Sequence, residues 1–386
     1  MARISLTFGA VTRTTTADAS GAWSLSFVSS QIPDDSDYTL TATQTDLAGN
    51  VSAEASRRIK VDAQPPAKPV ITIVASDDII NGNEKLAGVS VRGTAEPSAT
   101  VEVVWGSVTR TARVGTNGAW SVSFTGAQVP ADGPATIRAR ATDSTGNVSE
   151  DTTRTVSIDT LSQTPTIDVI STDNIVNAAE KAAGVTITGT AESGANVSVT
   201  IAGVSKSAIT TTTGIWSVNF AAADLPADAS GLAVTVQSTD VAGNLSAVTT
   251  RLIDLDTAAP ARPTIAVVSG DDAINANEQT AAVSVQGTGV AGSQITVTWG
   301  GVTRTTTADA DGRWTVVYSV AQIPSDGVVE MTATARDLAG NISAIDRRNI
   351  TIDTSTAVPT VIPCRAWMAM QVCPARSRSP ARRPLR

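Results

Sequence analysis

The stretch "TVEVVWGSVTRTARVGTNGAWSVSF", residues 100–124, decides the fold. Three segments in it, "TVEVVWG", "VTRTARV" and "AWSVSF", alternate β-branched or aromatic residues with polar ones. Successive side chains of a strand point to opposite faces, so this alternation predicts half-buried strands. Asn117-Gly118, between the second and third segments, marks a tight hairpin. Working outward, "KPVITIV", "GVSVRGT", "ATIRARATD" and "VSEDTTRTVSID" continue the pattern between Gly, Asn, Pro and Asp clusters. Seven short strands within residues 63–159 predict an immunoglobulin-like β-sandwich, and no stretch carries a period that predicts helix.

The same unit returns along the chain. "DLAGN" at 46–50 and 337–341 is echoed by "DSTGN" at 143–147 and "DVAGN" at 240–244. Asp46, Asp143, Asp240 and Asp337 stand 97 residues apart, as do Asp62, Asp159, Asp256 and Asp353. Trp23, Trp120, Trp216 and Trp314 drift from that spacing by one residue. A fixed period of this length means an array of units that each bury their own core, unlike a short solenoid repeat. The expected class is all-β, a tandem array of seven-stranded immunoglobulin-like sandwiches. Its expected divisions are an incomplete repeat at 1–62, full repeats at 63–159, 160–256 and 257–353, and a non-repeat tail at 354–386.

Composition excludes several chemistries. Histidine is absent, and the two cysteines, Cys364 and Cys373, both lie in the tail, so the repeats hold neither disulfides nor a Cys/His zinc site. No apolar run is long enough to span a membrane, and "MARISLTFGAV" lacks the apolar core of a signal peptide. The net charge is −8, and the residues from Pro363 onward carry six arginines and no acid, so the repeats alone are more acidic still. Such an array repels nucleic acid and anionic membrane, and it suits cations. No glycine-rich phosphate loop or nucleophile elbow is present, and paired carboxylates recur in every repeat, which fits a structural role better than an active site.

The tryptophans admit two readings: a platform for stacking carbohydrate, or core anchors beside a hairpin turn. Their return at one structural position in every copy favours the core. Trp105 and Trp299 are replaced by Phe8 and Ile201 in the other copies, which also suits packing.

"VDAQPPAKP", "SDDIINGNE", "VRGTAEPSATVEV", "GTNGAWSVSF" and "ATDSTGNVS" together resemble the tandem bacterial Ig-like domains of giant biofilm-associated and type I-secreted adhesins. The resemblance covers residues 4 to about 362. It implies an extender region exposed at the cell surface, and in some members calcium at the domain junctions.

Sandwich topology gives the acidic motifs addresses. The loop after the first strand, "SDDIINGNE", shares a pole with the end of the last strand. "AEPSA" and "DSTGN" share the opposite pole, where the chain enters. Stacking residues 63–159 on 160–256 is therefore expected to bring Asp77, Asp78, Glu84 and Asp159 toward Glu192 and Asp240. Asp62, Glu96 and Asp143 are their counterparts one joint earlier. Asp173, Glu180, Asp256, Asp271, Asp272, Glu278, Asp337 and, in the first repeat, Asp46 complete the candidates. Val290 replaces the glutamate in the last repeat, leaving fewer ligands there. Calcium takes six to eight oxygen ligands, so these carboxylates are candidate Ca²⁺ ligands. Two plainer readings stand beside that one. Asp-x-x-Gly-Asn is good turn chemistry in which the aspartate bonds nearby backbone, and the acids of "SDDIINGNE" form a solvated loop. The proline-bearing linkers "DAQPPAKP", "DTLSQTP" and "DTAAPARP" favour an extended, stiff path.

At the ends, "ISLTFGAVTRTTTADASGAW" at 4–23 matches "ITVTWGGVTRTTTADADGRW" at 295–314. The first repeat thus lacks its first two strands, and residues 1–62 are expected to be the least stable part. The tail "IPCRAWMAMQVCPARSRSPARRPLR" has neither the alternation nor the composition of the repeats. It reads either as a basic segment for an anionic partner or as a frameshift. In another frame "VCPARSRSPAR" gives an acidic loop like "NANEQTAAV", which would make both cysteines accidental. Two functions follow: an extracellular adhesin spacer stiffened by calcium, or a module that binds glycans or host proteins through its loops.

Overall fold

A computed structural model of the protein describes residues 1–356; the frameshift reading of the tail, with Cys364 and Cys373, lies outside them. Two compact units are present, Met1–Asp256 and the residues from Thr257 on. Within 63–159, Val70–Ile71, Val89–Thr94 and Ala119–Phe124 form one sheet, with Val89–Thr94 in the middle. The other sheet runs Ile79–Ile80, Thr152–Ile158, Gly133–Thr142, Thr100–Trp105, Val108–Arg113. All pairs are antiparallel except Ile79–Ile80, which lies parallel to Thr152–Ile158. The first strand thus splits and its second half crosses to the opposite sheet. Residues 160–256 and 257–353 repeat the arrangement of the larger sheet, Ile175–Val176 and Ala273–Asn275 taking the parallel position.

Each full repeat buries its own apolar cluster, Ile71 to Ile158, Ile167 to Leu255, and Ile265 to Ile352. In Ala119–Phe124 the alternation seen in the sequence becomes alternating burial, with Trp120, Val122 and Phe124 inside. Trp105 meets Phe124 edge-on at 5.2 Å, and Trp299 meets Tyr318 in the same way at 5.4 Å. The Tyr318 hydroxyl donates to the Val297 carbonyl, and burial pushes its pKa up to about 12. In the full repeats the recurring tryptophans Trp120, Trp216 and Trp314 are therefore core residues.

The large Trp120 ring fits because its cross-strand partner is Gly93. A Cβ on Gly93 would strike the Val70 carbonyl and lie 2.6 Å from the Trp120 ring. Gly189 with Trp216, and Gly287 with Trp314, repeat the arrangement. The glycine of "RGT", "TGT" and "QGT" thus makes room for both the ring and the first strand.

Helix is present after all. Gly82–Ala87 and Ala178–Ala183 are short α-helices, and Glu278–Thr280 is a 3₁₀ turn at the corresponding place. The cause is local: Asn81 accepts from the Glu84 amide at 3.0 Å while Glu84 accepts from the Asn81 amide at 3.0 Å. This reciprocal capping box operates over too few residues to show a helical period.

Residues 1–62 form a single sheet in the order Val11–Thr16, Arg3–Phe8, Ser36–Thr45, Ala55–Val61. The stretch around Trp23 forms no strand, and Trp23 is 42% exposed, against 4% for Trp120. Among the described residues, no counterpart of Val89–Thr94 lies beside it.

Gly93→Ala is expected to destabilise residues 63–159 by about 2 kcal/mol or more, since neither the carbonyl nor the packed ring yields easily. Urea unfolding of the piece 63–256 followed by tryptophan fluorescence measures this. A cost within experimental error would contradict the packing argument.

Candidate functional site

The recurring Asp-x-x-Gly-Asn loop is built around its aspartate. Asp143 Oδ1 accepts from the amides of Thr145, Gly146 and Asn147 at 2.7–2.9 Å and from the Thr145 hydroxyl at 2.8 Å. Its Oδ2 accepts from the Asn147 side-chain amide at 2.9 Å. Burial works against the charged form, but these donors outweigh it and hold the carboxyl well below the usual range. Asp46 with Asn50, Asp240 with Asn244 and Asp337 with Asn341 repeat the core of this arrangement.

The aspartate thus fixes the rotamer of the asparagine, and the asparagine reaches the preceding repeat. Asn147 Nδ2 donates to the Asp62 carbonyl at 2.9 Å. Asn244 Nδ2 donates to the Asp159 carbonyl at 2.9 Å, while its Oδ1 accepts from the Gly82 amide at 2.7 Å. Asn244 is 7% exposed, so its bridging bonds are made away from bulk water. Gly82 begins the short helix after the first strand, which places that loop against the next repeat, as the topology predicts. A second strap lies beside it: the backbone amides of Ala63 and Thr160, the residues that follow the closing aspartates, donate to Asp35 and Asp132.

The other candidate carboxylates have partners inside their own repeats. Asp78 accepts from Arg154 Nε at 2.7 Å and Nη2 at 2.5 Å and from the Val74 amide at 3.0 Å. The arginine hydrogen bond, opposed by burial, holds the Asp78 carboxyl below its usual range. Asp272 and Arg348 pair in the same way. Asp78 and Asp272 lie in the left-handed region (φ 68° and 62°), which aspartate and asparagine tolerate. In the middle repeat that position is Asn174 (φ 67°), which accepts from Arg251 at 3.4 Å, and Arg251 Nε has no protein partner. Asp77, Asp173 and Asp271 accept from the amides two residues on, at 2.9–3.0 Å. Glu84, Glu180 and Glu278 serve the caps. These groups do not join the acids of the next repeat.

Asp159, Glu192 and Asp240 do meet. One oxygen of each lies within 4.8 Å of the others, and among the described residues this is the one such trio. Asp159 and Glu192 are half-buried, and Asp240 is buried. The Asp159 and Asp240 side chains come from opposite sides of the joint, with the Asp159 carbonyl held by Asn244 beside them. Carboxylates and carbonyls form a hard oxygen donor set, which fits Ca²⁺ and does not fit a soft metal. Asp62, Glu96 and Asp143, the counterparts one joint earlier, form no such trio, and Glu96 is exposed. Asp256, which ends the middle repeat, donates its backbone amide to the Val176 carbonyl at 3.1 Å. Asn147 and Asn244 were missed from sequence as functional residues, although the invariant last letter of the motif carried the signal.

The fold and this arrangement define a tandem immunoglobulin-like repeat with specific joints. A bacterial Ig domain model matches residues 65–157, and a bacterial Ig-like domain model matches residues 2–63 and 261–354. Together these cover more than half of the chain, which belongs to the bacterial Ig-like domain family. Among curated proteins, none matches the chain. Among solved structures, one from a 1.5-MDa bacterial ice-binding adhesin is 29% identical, covering 76% of this chain and 100% of that one, with a TM-score of 0.43. A Ca²⁺-stabilized adhesin of an Antarctic bacterium is 30% identical over 91% of this chain and 90% of that one, with a TM-score of 0.41. A tetra-tandem repeat from the extending region of a large adhesion protein is 24% identical over 92% of both, with a TM-score of 0.34. Among the described residues no helix is long and apolar enough to cross a membrane.

Asp78 has a folded pKa below its unfolded one, so its pair stabilises the repeat above the ordinary carboxylate range and is lost as pH falls through it. Asp78→Asn should cost about 1–2 kcal/mol at pH 7, and its difference from wild type should shrink below about pH 4. Urea unfolding of the piece 63–256 across pH checks this; a pH-independent difference would contradict it.

Proposed function

We propose that the chain is part of the extender region of a large bacterial surface or secreted adhesin, a spacer in cell adhesion and biofilm whose joint between residues 63–159 and 160–256 is fixed by calcium. The observation that carries this reading is the trio Asp159, Glu192 and Asp240, contributed by both repeats and free of any basic partner among the hydrogen bonds and ion pairs of the joint. Three carboxylates this close repel one another, and low dielectric at a half-buried seam strengthens the repulsion. Asp159, Glu192 and Asp240 would hold the ion, with the Asp159 carbonyl in reach of the same seam. Bound Ca²⁺ supplies the positive charge that turns this repulsion into a bridge.

The chain's own residues prepare the seam. Asp240 and Asn244 pin the loop, Asn244 sets its distance from the preceding repeat, and Asp132 holds the linker at Thr160. Strand Gly133–Thr142 spans about 30 Å at 3.3 Å per residue, so each such repeat adds a few nanometres of reach. The alternative of a glycan-binding module finds no platform in the full repeats, because Trp105, Trp120, Trp216, Trp299 and Trp314 are all buried; Trp23, in residues 1–62, is the exposed one among the described residues. The location implied is extracellular, where calcium is abundant enough for weak sites.

Calcium titration of the piece 63–256 by calorimetry tests the reading. The Glu192 side chain takes a long contact from the Gln163 amide at 3.4 Å, while its backbone carbonyl accepts from Thr210 and Ala195, so Glu192→Gln removes a ligand and leaves the loop intact. The substitution should weaken calcium binding about tenfold or more. It should also abolish most of the calcium-dependent rise in melting temperature. No binding by the wild-type protein at millimolar calcium, or equal binding by the variant, would contradict the proposal.

A further inference from the structure

The joint before the calcium candidate carries a cation of its own. Lys60 Nζ lies 2.7 Å from Asp62 Oδ2, on the aspartate that closes residues 1–62. Asp37 is its cross-strand partner, and Asp143 of the next repeat stands one hydrogen-bonded side chain away, since Asn147 Nδ2 donates both to the Asp62 carbonyl and to Asp143 Oδ2. Asp62 is also the residue whose carbonyl receives Asn147, so the ammonium stands where the first repeat meets the second. One joint later the residue two before the closing aspartate is Ser157, which carries no charge.

The surroundings differ in step with that substitution. Where the lysine is absent, Glu192 draws in to complete a carboxylate trio; where it is present, Glu96 stays exposed and no trio forms. The linkers differ too. Asp62 is nine residues from the first core isoleucine, Ile71, whereas Asp159 is eight residues from its counterpart, Ile167. The shorter linker goes with the joint where acids from both sides converge.

We infer that Lys60 is a tethered cation that does at the first joint what a divalent ion does at the second, so that the first joint is ordered without calcium and the second responds to it. Electrostatically the two devices are equivalent in kind. Each sets positive charge on the carboxylate that closes one repeat, beside the next repeat's Asp-x-x-Gly-Asn loop. They differ in control, since a lysine on the chain cannot be withdrawn when calcium falls. Neighbouring joints of one chain would then have different calcium thresholds, one always set and one conditional. This rests on the calcium reading for the second joint, but the lysine at the first can be tested without it.

The experiment is pulsed electron-spin distance measurement on the full chain with Cys364 and Cys373 replaced by serine. One spin-label pair, at the exposed turn residues Ala10 and Ser107, spans the first joint; another, at Ser107 and Thr212, spans the second. With wild-type Lys60, the width of the Ala10–Ser107 distribution should be the same in calcium and in chelator. Lys60→Gln should broaden it about twofold in chelator, and Lys60→Arg, which keeps the charge, should not. Calcium should narrow the Lys60→Gln distribution again. Lys60 is an exposed side chain on a strand, so these replacements leave the fold in place. Wild-type width for Lys60→Gln in chelator, or a wild-type first joint that itself widens on chelation, would overturn the inference. A Ser107–Thr212 pair indifferent to calcium would instead overturn the calcium reading, leaving the lysine comparison in force.

Discussion

One hydrogen bond organises the joints: an asparagine side chain, held by the aspartate four residues before it, donates to the last backbone carbonyl of the preceding repeat. Asn147 does this to Asp62 and Asn244 does it to Asp159, both at 2.9 Å. The aspartate and the asparagine divide the work. Asp143 and Asp240 close the loop and orient the amide, and the amide sets where one sandwich sits against the next. An amide is the right group for the second task, because it donates and accepts at once; Asn244 uses both ends, reaching Asp159 and Gly82 together. The 97 residues from Asp143 to Asp240 follow, since at both joints within residues 1–256 the motif meets the end of the preceding sandwich.

Such a joint needs rigid bodies on either side. Those come from the Gly–Trp pairing across the smaller sheet and the edge-to-face contacts in the core, Trp105 with Phe124 and Trp299 with Tyr318. The ion pair of Asp78 with Arg154 ties the loop after the first strand to the last strand, so the loop that touches the next repeat is anchored to its own. Charge at the seams then differs from one joint to the next: Lys60 pairs with Asp62 at the first, and Asp159, Glu192 and Asp240 gather at the second.

Much of the fold was legible in the sequence. Strand alternation and the core role of the tryptophans in the full repeats are properties of neighbouring residues, and the sandwich follows from them. Asn117-Gly118 does sit in a turn, the Gly118 amide donating to the Gly115 carbonyl at 3.0 Å, but it is not the expected hairpin. The strands it joins, Val108–Arg113 and Ala119–Phe124, lie in different sheets, and a turn signal does not say which sheet the next strand enters. The short helix at Gly82–Ala87 was hidden because a single turn has no period, although Asn81 and Glu84 are spaced as a capping box. The site was legible only in part. Asp159, Glu192 and Asp240 do converge, as stacking the repeats predicts. Asp77, Asp78 and Glu84 were grouped with them because loop topology gives a pole but not a side-chain direction. In the structure, a local amide, an arginine on the last strand and a helix cap hold these three groups. The asparagine went unread because its partner is a backbone carbonyl 85 residues away, and sequence motifs name side chains.

The orienting power of that asparagine can be measured directly through residual dipolar couplings of the two repeats in the piece 63–256, in calcium. For the wild-type protein both repeats should report one alignment tensor, as parts of a single body. Asn244→Ala removes the bridge while Asp240 still closes its loop, and should split the couplings into two tensors, with each repeat's internal couplings unchanged. Two tensors in the wild type, or a single tensor that survives the substitution, would show that something other than this amide holds the repeats in register.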